Sequence, residues 1–164
     1  SNNFETWGNY ASVLFLMLMF IGGCAGSTTG GLKIFRFQIL FKYIELHLKK
    51  MLEPHAVLTA RFNGKKVQES TYESVMIFFF IYIMTFASSA LLLSFSGLDF
   101  LTCISAAASA ISNVGPGLGE IIGPEGNYSS LTNYSKLVLT VTMFLGRLEM
   151  ITIFVLLLPS FWKN

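Results

Sequence analysis

The chain alternates long apolar runs with short polar breaks, and the length of each run limits what it can be. Residues 10–21 are apolar almost throughout and stop at the glycine-rich stretch GGCAGSTTGG, 22–31, after which LKIFRF resumes the apolar pattern. About 20 apolar residues are needed to cross the hydrocarbon of a bilayer. The first run is shorter, so it predicts a helix broken by a Gly-rich loop at membrane depth, where irregular backbone is tolerated only inside protein or beside water. Over 32–52, Ile34, Phe35, Phe37, Ile39, Leu40, Phe41, Ile44, Leu46 and Leu48 mix with cations at helical spacing. That pattern predicts an amphipathic helix leaving the membrane, ended by Pro54. Asn63-Gly64, between RF and KKV, predicts a short hairpin or loop. The segment STYE at 70–73 resembles a capping box, and the uncharged run that follows to Phe95 predicts a full-length second span.

Residues 99–112 break this pattern. As a helix rising about 1.5 Å per residue, the segment reaches only about 21 Å, too short to cross. It is rich in Ala and Ser, and is expected to enter the membrane and turn back at NVGPGLG, 113–119. The polar stretch that follows, to Asn133, carries Glu120 and Glu125 but no cation and reads as an external loop. A third span is expected over 134–159, interrupted by GRLE at 146–149, and the chain closes with a Trp162-Lys163 pair of the kind that marks an interface. The expected fold class is an all-α membrane protein: transmembrane helices, a re-entrant pore helix with a filter loop, and a first helix broken by the Gly-rich loop.

Composition agrees with lipid as the solvent. The 164 residues are 53% hydrophobic and only 12% charged, where a soluble domain carries about 25% charged residues. Lys33, Arg36, Lys42, Lys49, Lys50, Arg61, Lys65 and Lys66 gather eight of the eleven cations between 33 and 66, which places that segment in the cytoplasm. The first span then runs inward, the second outward and the third inward, so the C-terminus is also cytoplasmic. Glu45, Glu53 and Glu69 dilute the cluster, which argues against nucleic-acid binding. Cys24 and Cys103 lie in apolar or Gly/Ala-rich sequence and support neither a disulfide framework nor a four-ligand zinc site. Residues 1–8 lack the basic start of a signal peptide, and the abrupt approach to a span leads us to expect a truncated N-terminus.

A short helix that stops inside the membrane at a Gly-punctuated turn has the architecture of an ion filter, because a dehydrated cation needs carbonyl oxygens in place of its waters. Gly115, Gly117 and Gly119 permit that backbone, Pro116 stiffens it, and the negative end of the helix faces the ion. An ordinary external loop is the alternative reading. Arg147 falls in mid-span, where a cation is costly enough to be a functional candidate; Glu149 lies on a different helix face, and an interhelical salt bridge is the alternative role. Gly26 to Gly31 followed by Leu32-Lys33 misses the Gly-Lys-Ser/Thr of a phosphate-binding loop. Ser27 has no general base at hand, since His47 and His55 both lie in the cytoplasmic segment. No enzyme activity and no cofactor is expected. The triplets NYS at 127–129 and 133–135 match glycosylation acceptors, a pattern common by chance.

NVGPG at 113–117 lines up with the Thr-Val-Gly-Tyr-Gly filter of potassium channels, and SAISNVGPGLG resembles the last filter of the TrkH/KtrB family of potassium uptake proteins. The Gly-rich 22–31 followed by LKIFR resembles that family's intramembrane loop in its third repeat. EPHAV with RFNGKKV resembles its cytoplasmic loop, and GRLEMITIFVLLLPSFW its last helix and C-terminus, in the TrkH branch. The resemblance implies four membrane-pore-membrane repeats in an intact protein. Residues 1–36 would be the end of the third repeat, 37–70 a cytoplasmic helix and loop, and 71–164 the fourth repeat. It implies K⁺ as the substrate, held by the carbonyls of Asn113, Val114 and Gly115, with Pro116 and Gly117 completing the filter. It also implies a gate made by Gly22, Gly23, Gly26, Ser27, Thr28, Thr29, Gly30, Gly31 and Arg147. The implied partners are the lipid bilayer of the inner (plasma) membrane, a second copy of the full-length protein, and a cytosolic nucleotide-binding regulatory ring of the TrkA/KtrA type. Asn replaces the channels' Thr and Pro their Tyr, so the hydroxyls that brace that filter are gone. Na⁺ or mixed cation transport, and a non-conducting subunit, stay as alternatives.

Overall fold

The computed structural model describes residues 7–24, 26–27, 29–53, 61–62, 65–66, 69–119 and 121–148. Several expectations lie outside these residues: those on Thr28, Pro54, the Asn63-Gly64 turn, Glu120, Glu149 and everything after Leu148. The order is α1 (Asn9–Met19), α2 (Ile34–Leu52), a hairpin of β1 (Arg61–Phe62) and β2 (Lys65–Lys66), α3 (Glu69–Ser94), α4 (Phe100–Ser112), a 3₁₀ turn at Tyr128–Ser130, and α5 (Asn133–Arg147). The fold is mostly helical. The hairpin pairs Arg61 with Lys66 and Phe62 with Lys65, antiparallel, where a short hairpin or loop was expected.

The broken first helix is present. α1 stops at Met19, and the chain crosses back on itself through a parallel bridge between Ile21 and Leu32. The bridge donates Gly22 N–H to the Leu32 carbonyl at 2.8 Å and Leu32 N–H to the Phe20 carbonyl at 3.1 Å, so the glycine-rich loop has closed ends. α2 starts two residues beyond the bridge, with Lys33 as its N-cap, and runs unbroken to Leu52. Its outer face carries Glu45 between Lys42 (3.1 Å) and Lys49 (2.7 Å). Hydrogen bonds first from Lys49 and then from Lys42 hold the Glu45 carboxyl down to about 2. Ile39 packs against Tyr72 and Val75 of α3.

Among the described residues, one helix is both long and apolar enough to cross a membrane, Ser70–Ser94 within α3. Although uncharged after Glu73, α3 buries Tyr72, Val75, Phe78, Tyr82, Ser89 and Leu93, a helical period that marks one inward face. Met76, Ile77, Phe80, Ile83 and Met84 face outward. Ser70 does not cap α3, because the helix already includes Glu69; instead its carbonyl accepts the Ser74 hydroxyl at 2.8 Å. At the other end the helix stops one residue before Phe95, and the chain turns at Gly97 with φ +72°.

The short helix α4 sits at the centre, packed against both α3 and α5. Asp99, expected as its first residue, is its N-cap, accepting the Thr102 N–H at 3.2 Å. Every residue from Ser105 to Ser112 is buried. The run of Ala and Ser there explains the close packing, since small side chains let helix backbones approach. Ala106, Ala107 and Ala110 meet Leu93 from α3 and Val138 and Leu139 from α5, while Ala108 meets Met19 from α1. α5 is anchored at its start by Thr132, which caps Ser135 N–H at 3.2 Å, and by the Ser135 hydroxyl bonded to Ser96 at 2.8 Å. It ends at Arg147, within the GRLE interruption.

Candidate functional site

The C-terminus of α4 is where the chemistry collects. Asn113 ends the helix in the left-handed conformation, φ 54° and ψ 42°, which Asn adopts more readily than other non-glycine residues. Its side-chain amide donates to the Met143 carbonyl of α5 at 3.1 Å. Beyond it the backbone leaves the helix and is held from behind. Val114 N–H donates to the Ser109 carbonyl at 3.0 Å and Gly115 N–H to the Ser109 hydroxyl at 3.1 Å. Pro116 has no N–H. Gly117 N–H donates to the Ile122 carbonyl at 2.8 Å, and Leu118 N–H to the Ser105 hydroxyl at 2.9 Å.

All the backbone N–H groups from Asn113 to Leu118 are therefore satisfied by α4 or by the returning loop. The acceptors are not. Among the described residues no donor meets the carbonyls of Asn113, Val114, Pro116 or Gly117. The Gly115 carbonyl differs, accepting the Tyr128 hydroxyl at 2.7 Å. Gly115 itself has φ +111°, which L side chains rarely adopt, although a Cβ there would meet open space. Gly117 is required for space instead: a Cβ would collide with the Ile122 side chain.

Beneath this turn lies a cavity of about 270 Å³. Gly22, Gly23, Thr29 and Gly30 line it from the glycine-rich loop, Asn113 and Val114 from the turn, and Arg147 from the end of α5. Sequence candidates as far apart as Gly22 and Arg147 thus share one space. The loop is braced internally by its hydroxyls. Thr29 accepts the Gly23 N–H and donates to Ser27, each at 3.1 Å. Among the described residues no carboxylate pairs with Arg147. None of the described residues forms a His, Cys, Asp or Glu cluster able to hold a metal, so the donor set at this site is backbone carbonyl and hydroxyl.

Not every candidate reaches that cavity. Gly115, Pro116 and Gly117 are not in its wall, and Gly26 (φ +83°) stands in open space at the tip of the loop. Gly115 instead borders a second, mostly apolar cavity of about 330 Å³ on the α5 side, with Ser109, Tyr128 and Thr140. Sequence reasoning missed Ser105, Ser109 and Tyr128, the residues that hold the turn. Ser105 and Ser109 stand four apart on one helix face, a spacing that signals paired hydroxyls; Tyr128 gives no such signal.

A family model described as TrkH, cation transport protein, matches residues 1–163. The chain is similar over its full length to the Trk system potassium uptake protein TrkI of Halomonas elongata, at 45% identity, and to the Trk system potassium uptake protein TrkH of Escherichia coli K12, at 36%. It covers 33% of each of these proteins. It also resembles the crystal structure of the potassium transporter TrkH from Vibrio parahaemolyticus, with a TM-score of 0.87 and 38% identity over 98% of this chain and 34% of that one. The chain thus spans about a third of the length of the curated relatives it matches. With the family model matched from the first residue to the last but one, and the same fold in a solved relative, the chain belongs to the TrkH family of cation transport proteins.

Proposed function

We propose that this chain is the end of the third and the whole fourth membrane-pore-membrane repeat of a K⁺ uptake protein, divided at 1–36, 37–70 and 71–164. α4 is then a re-entrant pore helix, and 113–117 one quarter of a selectivity filter. The observation that carries the reading is the asymmetry of the turn. Its N–H groups are tied back into the fold while the carbonyls of Asn113, Val114, Pro116 and Gly117 find no donor among the described residues. Asn113 is half-buried and Val114 and Pro116 are exposed, so these carbonyls stand open, and a dehydrated cation needs such oxygens in place of its waters. The α4 C-terminus adds the negative end of its dipole behind them.

Passage below the filter is controlled by the loop at 22–31 and by Arg147. A guanidinium on the shared cavity puts a positive barrier on the ion's path, and displacing the loop opens it. No covalent chemistry is needed, and K⁺ is substrate rather than cofactor. The parent protein lies in the inner membrane with 33–66 and the C-terminus in the cytoplasm. It works as a homodimer under a nucleotide-binding ring that docks on the basic segment.

The test is Rb⁺ uptake by cells lacking their own potassium uptake, expressing the full-length protein that carries this chain. Gly115→Asp is expected to abolish or reshape uptake, because Asp is strained at φ +111° and brings a carboxylate to the filter. Uptake unaltered by that change would favour a transporter in which the re-entrant segment is only structural, and no uptake even by the unaltered protein would favour a non-conducting subunit.

A further inference from the structure

The filter turn lacks the Thr and Tyr hydroxyls of the potassium-channel sequence, yet a tyrosine hydroxyl reaches it from elsewhere in the chain. Tyr128, on the 3₁₀ turn after the filter, donates to the Gly115 carbonyl at 2.7 Å across 13 residues of sequence. Its turn is fixed by Asn127, whose side chain caps Ser129 N–H at 3.0 Å, and by Lys136 Nζ, which donates to the Ser129 carbonyl at 2.7 Å from α5. Burial pushes the phenol above its ordinary value, so it stays a donor across the physiological pH range.

We propose that Tyr128 is a positioning residue that sets ion preference by tethering the Gly115 carbonyl. The inference rests on the reading of 113–117 as a filter. Three features of the turn support it. Gly115 is the one filter residue from 113 to 117 whose carbonyl is met by a donor among the described residues. Of the two filter glycines, 115 and 117, it is also the one with nothing within 4 Å of a Cβ, and the peptide that carries its carbonyl ends on Pro116, which has no N–H to anchor it. And it borders the cavity on the α5 side, with Tyr128, rather than the cavity beneath the turn. A hydroxyl that occupies one lone pair lowers the field this oxygen offers an ion and limits its swing. Weaker, fixed carbonyl fields favour the larger and more easily dehydrated cation, in accounts where filter selectivity depends on carbonyl field strength.

The experiment compares Tyr128→Phe and Tyr128→Ala with the unaltered full-length protein, reading Rb⁺ uptake with and without excess Na⁺. Stabilisation of the purified protein against heat by K⁺ and by Na⁺ reads the same preference where conduction is lost. The expected result is that Tyr128→Phe lowers the preference for K⁺ or Rb⁺ over Na⁺ about fivefold, the factor one hydrogen bond of ordinary net strength supplies. Tyr128→Ala should lower it at least as far. A Phe variant that keeps the unaltered preference while the Ala variant loses it would make the ring a packing element and overturn the proposal. An unaltered protein that neither takes up Rb⁺ nor is stabilised by K⁺ would overturn the filter reading itself, and this inference with it.

Discussion

Gly30 lies flush against Ser112: a Cβ built on the loop glycine would stand 2.5 Å from the Ser112 carbonyl oxygen. The same turn of α4 is approached from the other side by Gly146, where a Cβ would run into the Ile111 carbonyl oxygen. The glycine-rich loop and α5 therefore clasp the end of α4 through two positions that have no room for a side chain. Tyr82 closes a third side, its hydroxyl 2.7 Å from that of Ser112.

Gly30→Ala is expected to push the loop off α4, costing about 1–3 kcal/mol as overpacking does, and to alter Rb⁺ uptake. Gly26→Ala is the control, since nothing lies within 4 Å of a Cβ there and only its φ of +83° is strained. Thermal unfolding and uptake measured on both variants check this. Equal effects at the two positions would remove the argument from close contact.

Ser105→Ala should destabilise the protein by about 1–3 kcal/mol, because it leaves a buried N–H unpaired. The Ser105 hydroxyl is fully buried and serves both the N–H (2.9 Å) and the carbonyl (3.1 Å) of Leu118. Ser105→Cys offers only a weak donor and acceptor at the same place and is expected to fall between the two. Unfolding midpoints in detergent check the order.

Asp99 makes the α4 start sensitive to acid. Hydrogen bonding from Thr102, its side chain first, holds the Asp99 carboxyl below its ordinary value of 3.8. A carboxyl lowered in the folded state contributes stability that is present above its ordinary value and lost as pH falls through the lowered one. Stability is therefore expected to drop below about pH 4. Asp99→Asn keeps a capping oxygen and should flatten that part of the pH profile, as melting in buffers from neutral to acid would reveal.

Much of this organisation was legible in the chain. The uncharged run before Phe95 and the short Ala/Ser segment after it became α3 and α4 within a residue of expectation, because run length against bilayer thickness is a strong constraint. Helix ends were less legible. Ser70 looked like a cap yet lies inside α3, and Asp99 looked like the first turn yet caps it, since local hydrogen bonding decides such details. The meeting of Gly22, Asn113 and Arg147 on one cavity is long-range packing that no local pattern encodes, and the family resemblance was what pointed to it.

The basic segment gives a regulatory prediction. Docking of the proposed nucleotide-binding ring on this segment predicts that Lys50, Lys65 and Lys66 replaced together by Glu uncouple uptake from nucleotide while leaving basal Rb⁺ flux in place. Flux recorded with and without the ring's nucleotide checks this, and unchanged regulation would count against docking there.

The central claim is that main-chain oxygens of Asn113 and Val114 take the place of water around a monovalent cation. Anomalous diffraction from crystals of the full-length protein grown in Rb⁺ tests it most directly. The account predicts an Rb⁺ peak in direct contact with those two carbonyls. A peak elsewhere, with both carbonyls bonded to water or turned away from the pore axis, would contradict it.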